Sequence, residues 1–322
     1  MRDKYTILLT AIGGDVSQSA AKVLRGLDIV DRIIGVDLSS DNPHFVFVDA
    51  FYVVPRPDSA EYISMLENIV EKEKVDFVIP ISEPEVRALW EAKELRGWNK
   101  AQIVIPGGLA LPLCLDNLDT VQFLEKRGIV MPWTRLVSDD EVPKSFPCVM
   151  KDRWSWGSRS FLAIEDEEAA EYFSKCRPNS LFQEKLLPSD QEYTCGIFRN
   201  KKKETASIIF KRTLSGPRTG KATVVIDEAI ENLCNQIASI LELRGSINVQ
   251  LIKTEKGPIP FDINPRFSGT VAFRDLVGFK DVLWSLFDQL NIDFQLHFSP
   301  SAGTKIYRTY GEAIIHPKEK EA

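Results

Sequence analysis

Short apolar runs alternate with amphipathic stretches over the first hundred residues. TILLTAI (6–12) is followed by helical spacing from Asp15 to Leu27, and RIIGVDLS (32–39) is a second apolar run. FVFVDAFYVVP (45–55) is a third. A helical stretch over about 59–73, VDFVIPIS (75–82), a helix over about 84–96 and AQIVIP (101–106) complete the series. Short β-branched strands spaced by helices predict a parallel, doubly wound sheet. Such sheets bind ligands beyond the carboxyl ends of their strands. Three loops fall there: Gly13-Gly14-Asp15, the stretch after Asp37, and Ser82-Glu83-Pro84-Glu85. The Gly-Gly-Asp turn reads either as an anion cradle on a helix N-terminus or as a tight turn that needs glycine. It lacks GxGxxG spacing, so a dinucleotide site is not supported.

Pro106-Gly107-Gly108 and the Leu-Pro run to Pro112 punctuate the chain, which places a boundary near 108. A helix over about 116–127 leads to a different pattern. PCVMK (147–151) and SFLAI (160–164) flank a polar loop, and a helix at 166–175 precedes SLFQEKL (180–186). Strands follow at YTCGIF (193–198), ETASIIFKR (204–212) and KATVVI (221–226). After a helix over about 228–243 come SINVQLIK (246–253) and GPIPFDIN (257–264). This second half reads as α+β with largely antiparallel pairing, and residues 317–322 as a solvated tail.

Composition narrows the function classes. The chain has 322 residues, 44% of them hydrophobic, and 40 basic against 46 acidic side chains for a net charge of −6. That supports a substantial core and argues against disorder, nucleic-acid binding and adsorption to anionic membranes. Five dispersed cysteines without a CxxC pair read as reduced, packing thiols of a cytoplasmic protein. Three histidines lie far apart, so any metal here is hard and oxygen-bound. The N-terminal Arg2-Asp3-Lys4 and its apolar run mimic a short signal peptide. The run breaks at Gly13-Gly14-Asp15 without a small-residue cleavage site, which favours a buried strand. No apolar stretch approaches the ~20 residues that span a bilayer.

The chemistry concentrates near the C-terminus. INVQLI and PIPFDIN, separated by Thr254-Glu255-Lys256-Gly257, predict an antiparallel hairpin. Alternation puts Asp262 with Asn264 on one strand, and Asn248 with Gln250 on its partner. Oxygen-bearing side chains within apolar strands must be satisfied, since burying one unpaired costs several kcal/mol. They suit Mg²⁺, or form a polar edge facing solvent. Arg266 follows, able to hold a phosphate in its guanidinium fork. Lys151 ends an apolar strand beside the loop Asp152–Ser160, and reads as a polyphosphate lysine or a snorkelling one. Gly216-Pro217-Arg218-Thr219-Gly220-Lys221-Ala222 has one residue too few and no Ser or Thr for a P-loop. Gln183–Leu187 and Glu192 carry no meaning alone.

Taken in order, FPCVMK with its Gly/Ser loop, FQEKLL…QEYT, NVQ (248–250) and FDINPRFSGT (261–270) resemble the ATP-grasp superfamily, particularly carbamoyl-phosphate-synthase-like carboxylate–amine ligases. The resemblance covers the whole chain. It implies a Rossmann-like pre-ATP-grasp domain over 1–108, then a two-lobed ATP-grasp domain over 109–316. The small lobe would span about 144–186 and the C-terminal lobe about 187–316. It implies ATP with Mg²⁺ or Mn²⁺. Lys151 matches the α/β-phosphate lysine, and Gly157 and Ser158 the loop covering the phosphates. Glu184, Lys185, Leu186 and Leu187 match the adenine-reading hinge, Glu192 the ribose acid, and Gln250, Asp262 and Asn264 the metal ligands. Arg266 matches the arginine near the γ-phosphate. Two departures stand out. Asn117 occupies a position where many relatives carry a phosphate-binding lysine, with Lys211 or Arg212 as candidate replacements for its charge. Asp262 replaces a commoner glutamate.

The acceptor pocket such a fold implies lies between the first domain and the last lobe. It would involve Gly13–Ser17 with Gly14, Glu83, Arg218, Lys221, Ser268, Gly269, Thr270 and Arg274, the cations suiting a carboxylate and Glu83 an amine. The expected activity is amide formation through an acylphosphate, on a small molecule such as an amino acid or a surface-sugar precursor. Partners would be small-molecule carboxylates and amines, and a homodimer is compatible. A small-molecule kinase or a non-catalytic nucleotide binder are the competing readings.

Overall fold

The computed structural model describes residues 4–96, 101–137, 143–154, 161–216, 218–309 and 311. The first unit runs β1 (Tyr5–Leu9), α1 (Asp15–Arg25), β2 (Val30–Asp37), β3 (Ala50–Val53), α2 (Tyr62–Glu73), β4 (Phe77–Ile79), α3 (Glu83–Arg96) and β5 (Gln102–Ile103). The strands form one parallel sheet in the order β3-β2-β1-β4-β5. Both faces are covered, which explains the unbroken apolar runs. Ile7 and Leu9 pack with Ala20 and Leu24 of α1, while Leu8 packs with Tyr62, Leu66 and Ile69 of α2. The 45–55 run is not one strand. A 3₁₀ turn at His44–Val46 precedes β3, and Asp49 interrupts the apolar sequence to accept the Ile33 amide at 2.8 Å and the Arg25 guanidinium.

The loops at the strand ends are fixed by one buried carboxylate. Glu85 Oε2 accepts from Ser82 N at 3.0 Å, Ser82 Oγ at 2.6 Å and Thr10 Oγ1 at 2.7 Å. Ser82 and Glu85 have the spacing of a helix capping box. The Thr10 bond adds the end of β1, so the two loops that face the rest of the molecule are tied together.

The second half begins with α4 (Ala110–Cys114) and α5 (Asn117–Glu125), the latter capped by the Asp116 carboxylate. A four-stranded antiparallel sheet, ordered β6-β9-β7-β8, comprises β6 (Thr134–Leu136), β7 (Cys148–Asp152), β8 (Leu162–Ile164) and β9 (Ser180–Glu184), with α6 (Glu167–Cys176) against it. A six-stranded antiparallel sheet follows: β10 (Glu192–Arg199), β11 (Thr205–Ser215), β12 (Arg218–Val225), β13 (Gly245–Thr254), β14 (Gly257–Asn264) and β15 (Lys305–Tyr307), ordered β14-β13-β10-β11-β12-β15. α7 (Glu228–Ile240) covers one face through Ile230, Cys234 and Ile237. Against the other face, Phe279 and Trp284, the latter on α9 (Asp281–Leu290), meet Phe198 and Phe210.

Apolar packing and one arginine attach the second half to α1, and a buried ion pair braces the elements that make the contact. Phe267, Val271 of α8 (Val271–Leu276), Val282 and Leu286 enter the apolar cluster of α1. Arg308 donates to Ser19 Oγ at 3.0 Å, Thr219 O at 2.9 Å and Gly269 O at 2.5 Å, tying α1, β12 and the loop after β14. Arg274 and Asp281, 3.2 Å apart and fully buried, anchor α8 and α9 beneath the sheet, with Ser246 Oγ donating to Asp281 at 2.6 Å. Burial depresses the Arg274 pKa and raises that of Asp281, and each partner opposes the other's shift. Gly196 makes room for the guanidinium, since a Cβ there would lie 2.4 Å from Arg274 Nη1. No helix among the described residues is long and apolar enough to cross a membrane. Gly196→Ala is expected to cost about 1–3 kcal/mol by overpacking. Urea denaturation measures this, and an unchanged midpoint would show that the guanidinium has room to move.

Candidate active site

The register of the six-stranded sheet assembles the site. Asn248 pairs with Asn264 and Gln250 with Asp262, as the hairpin reading expected. On the neighbouring strand Gln250 lies opposite Thr194, and Glu192 opposite Ile252. Alternation then puts Glu192, Thr194, Asn248, Gln250, Asp262 and Asn264 on one face. Arg212 reaches this face. Lys211 is out of phase: it pairs with Tyr193, and its Nζ lies 5.9 Å from that ring's centroid on the opposite side.

A β-bulge sharpens the arrangement. Gln250 pairs with Asp262 and Leu251 with Pro260, so Phe261 is the extra residue. Its carbonyl is released from the ladder and accepts Lys151 Nζ at 2.8 Å, across from the four-stranded sheet. Beyond the bulge, Ile259 joins Ile252 and Leu186 in an apolar cluster next to the polar face. One strand thus presents both polar ligands and an apolar floor.

The polar face is a continuous hydrogen-bonded chain. Arg212 donates to Glu192 Oε1 from Nη2 at 2.8 Å and to Gln250 Oε1 at 2.7 Å. Gln250 Nε2 and Asn264 Nδ2 donate to Asp262 Oδ2 at 3.1 and 2.5 Å. Arg266 Nη2 donates to Asn264 Oδ1 at 2.9 Å and lies 3.3 Å from Glu83 Oε1 in the first unit. These mutual bonds are how buried amides and charges within apolar strands are tolerated. Burial and, less strongly, Asp262 push the Glu83 carboxyl up to about 7, against the pull of Arg266 and Arg87. Burial likewise lowers the Lys151 pKa, opposed by Asp262 and Glu83.

The donor set fits a hard divalent cation of one kind. No group of three or more His, Cys, Asp or Glu placed to hold a metal occurs among the described residues. Asp262 is the single carboxylate, supported by the amides Gln250 and Asn264. Such a set suits Mg²⁺ whose remaining positions are filled by phosphate and water.

Elsewhere the expectations divide. Lys151 Nζ also donates to Asn117 Oδ1 at 3.2 Å, and Asn117 Nδ2 donates to the carbonyls of Asp152 and Arg153, each at 3.2 Å. Asn117 thus holds the end of β7 and orients Lys151. Glu184 exchanges bonds with Trp133, its N donating to Trp133 O at 2.9 Å and its Oε2 accepting from Trp133 N at 3.2 Å. Lys185 lies 3.9 Å from Glu165, Leu186 is buried and Leu187 is exposed. Gly157 and Ser158 lie outside the described residues. Gly13 donates to Asp37 Oδ2 at 2.8 Å beside Gly14, and Gly269 approaches Asp15 closely enough that a Cβ would lie 3.8 Å from its Oδ2. Ser268 and Thr270 are buried and 3.0 Å apart through their hydroxyls. Glu83 reaches the polar face. Arg274 does not: it is core. Arg218 is exposed on β12, and Lys221 lies over the Tyr307 ring.

Sequence reasoning missed the bulge, Arg308 and the Glu85 tie. Only the last left a local signal, the Ser82-x-x-Glu85 spacing. For Glu83, the raised pKa means the folded protein holds a proton that the unfolded chain has lost between its ordinary value and about 7. Its contribution to stability therefore falls as pH rises through that window. Glu83→Gln is expected to flatten this part of the stability profile in nucleotide-free protein, measured by urea denaturation at pH values on both sides. An unchanged slope would place the proton elsewhere.

Comparison with known proteins bears on the fold that carries this site. Residues 7–101 match the family model "PylC-like, N-terminal domain", and residues 178–304 match "ATP-grasp in the biosynthetic pathway with Ter operon". The carbamoyl phosphate synthase large chain of Saccharolobus solfataricus is 24% identical over 259 residues, covering 73% of this chain and 24% of that protein. The chain therefore spans about a quarter of that relative's length. N5-carboxyaminoimidazole synthetase from Staphylococcus aureus complexed with ADP superposes with a TM-score of 0.73 at 15% identity, covering 93% of this chain and 81% of that one. L-amino acid ligase from Bacillus licheniformis gives 0.68 at 15%, covering 93% and 78%. The two family matches fall in chain order on a parallel sheet followed by two antiparallel lobes, so the chain is similar to ATP-grasp proteins in both domain order and fold.

Proposed function

We propose that the protein is an ATP-dependent carboxylate–amine ligase that works through an acylphosphate. The single observation that carries this is the bonded chain Arg212–Gln250–Asp262–Asn264–Arg266, facing Lys151 from the opposing lobe. ATP would lie between the lobes. Leu186, Ile252 and Ile259 give the adenine an apolar floor, and Glu192 meets the ribose. Lys151 and Arg266 offset the phosphates. Mg²⁺ held by Asp262, Gln250 and Asn264 would supply charge neutralisation at the β- and γ-phosphates.

The named side chains do the positioning. A carboxylate oxygen of the substrate attacks the γ-phosphorus, the bond to the bridging oxygen breaks, and ADP leaves. Arg266 offsets charge on the moving phosphoryl group. An amine nitrogen then attacks the acyl carbon, loses a proton, and phosphate departs as its C–O bond breaks. No protein nucleophile is needed, and Glu83, on the far side of Arg266, is placed to meet an amine. The loops holding Gly14, Ser268 and Gly269 form the junction where the acceptor would enter. The structural neighbours that are ligases and synthetases support this reading through their shared fold. Small-molecule substrates and a soluble, cytoplasmic setting accord with it.

Asp262→Asn keeps the side chain's size and one oxygen acceptor but removes the charge. It is expected to reduce ADP release by about 10²-fold or more while leaving circular dichroism and thermal unfolding near wild type. The assay is ADP and phosphate release with Mg²⁺–ATP over carboxylates, each with and without amines. Undiminished turnover would remove Asp262 from the metal site. A stable phosphorylated product without an amine would replace the ligase by a kinase.

A further inference from the structure

A pocket of about 440 Å³ opens beside the polar face, between α3, the Pro57-Asp58 turn and Trp154. Its volume falls within the range of small-molecule sites, which are mostly apolar with a few placed polar groups. Here Pro84, Ala88, Leu115 and Trp154 supply the apolar walls, and Glu83 and Arg87 the polar groups. Residues 83 and 87 are one turn apart on α3 and share a face. Glu83 is the inner group: its side chain is 11% exposed and touches Arg266. Arg87 is held from behind, donating through Nη2 to Leu115 O at 2.8 Å. A guanidinium has five N–H donors, so this bond orients it without exhausting it. Glu91, one further turn along, and Asp58 add negative charge at the pocket wall. A carboxylate and a guanidinium one turn apart match the ammonium and carboxylate carried on one carbon of an α-amino acid.

We propose that this pocket binds the amine substrate as an α-amino acid, its ammonium at Glu83, its carboxylate at Arg87, and an apolar side chain against Leu115 and Trp154. The ligase reading supplies only the role of that amino acid as the amine donor. The location follows from the Glu83–Arg266 contact, which puts the ammonium next to the arginine that faces the phosphates. Trp154 closes the outer wall, with the Arg153 guanidinium 5.2 Å from its ring centroid.

The test is titration calorimetry of the full chain, with and without Mg–ADP, using L-phenylalanine, L-leucine, phenethylamine and 3-phenylpropionate. The two amino acids are expected to bind, and each analogue lacking one charge to bind about tenfold or more weakly. Arg87→Met should erase the preference for phenylalanine over phenethylamine and keep that over phenylpropionate. Glu83→Gln should do the reverse. Should Glu83→Gln fail to fold, Trp154→Ala serves instead, with phenylalanine expected to weaken more than alanine. Absence of saturable binding by every probe, equal binding of the analogues, or unchanged preferences in the variants would each overturn the assignment. Binding is read without turnover. Failure to release ADP with any acceptor therefore counts against the ligase reading and leaves the pocket's occupant decided by calorimetry.

Discussion

The site depends on the pairing of β13 with β14 and the single extra residue, Phe261, within it. Before the bulge the ladder sets Asn248 against Asn264 and Gln250 against Asp262, concentrating oxygen and amide groups on one face. At the bulge a backbone carbonyl leaves the ladder and turns to Lys151. Beyond it the same strand contributes Ile259 to an apolar cluster. A regular hairpin would have kept one phase throughout. The extra residue lets a single strand serve a charged ligand set and an apolar floor, and links the two lobes through a lysine.

Asp262 is the hub because polar atoms in an apolar sheet have few ways to be satisfied. Its Oδ2 takes both amide donors, and the two amide oxygens in turn take Arg212 and Arg266. Lys151, Arg212 and Arg266 face Asp262, Glu192 and Glu83, the last a carboxyl that burial pushes up to about 7. A polyphosphate entering this site brings more negative charge than these three cations, already partly paired, can offset. That is the electrostatic reason a divalent cation belongs with the nucleotide.

The departure at Asn117 looks different in three dimensions. A lysine there would have added a cation beside Lys151. The asparagine instead accepts from Lys151 and donates to the carbonyls at the end of β7, so it trades charge for a fixed lysine. Arg153, from the same strand end, is committed to Asp116 at 2.7 Å. Arg212 stands on the polar face, paired with Glu192 at 2.8 Å. Lys211 does not, because one residue along a strand is the other face.

Much of this was legible in sequence where the physics is local. Alternation along 246–264 placed Asp262 with Asn264 and Asn248 with Gln250. Strand–helix alternation over the first hundred residues implied the parallel sheet. Both rest on the period of side chains along a strand and on burial of apolar faces, which neighbouring residues determine. Arg274 shows where that reasoning ends. As a cation near the C-terminal motif it read as a substrate ligand, yet Gly196, Asp281 and Ser246 converge to bury it, and none of them is a sequence neighbour. Arg308 reaches Ser19 across 289 positions. Glu83 meets Arg266 only because Glu85, Ser82 and Thr10 lock its loop beside the far lobe. The sequence by itself determined the elements, the faces and the chemical types on them. The tertiary structure decided which distant charges share a dry space, because pairing buried charges depends on where the elements pack, and spacing along a chain carries no record of that.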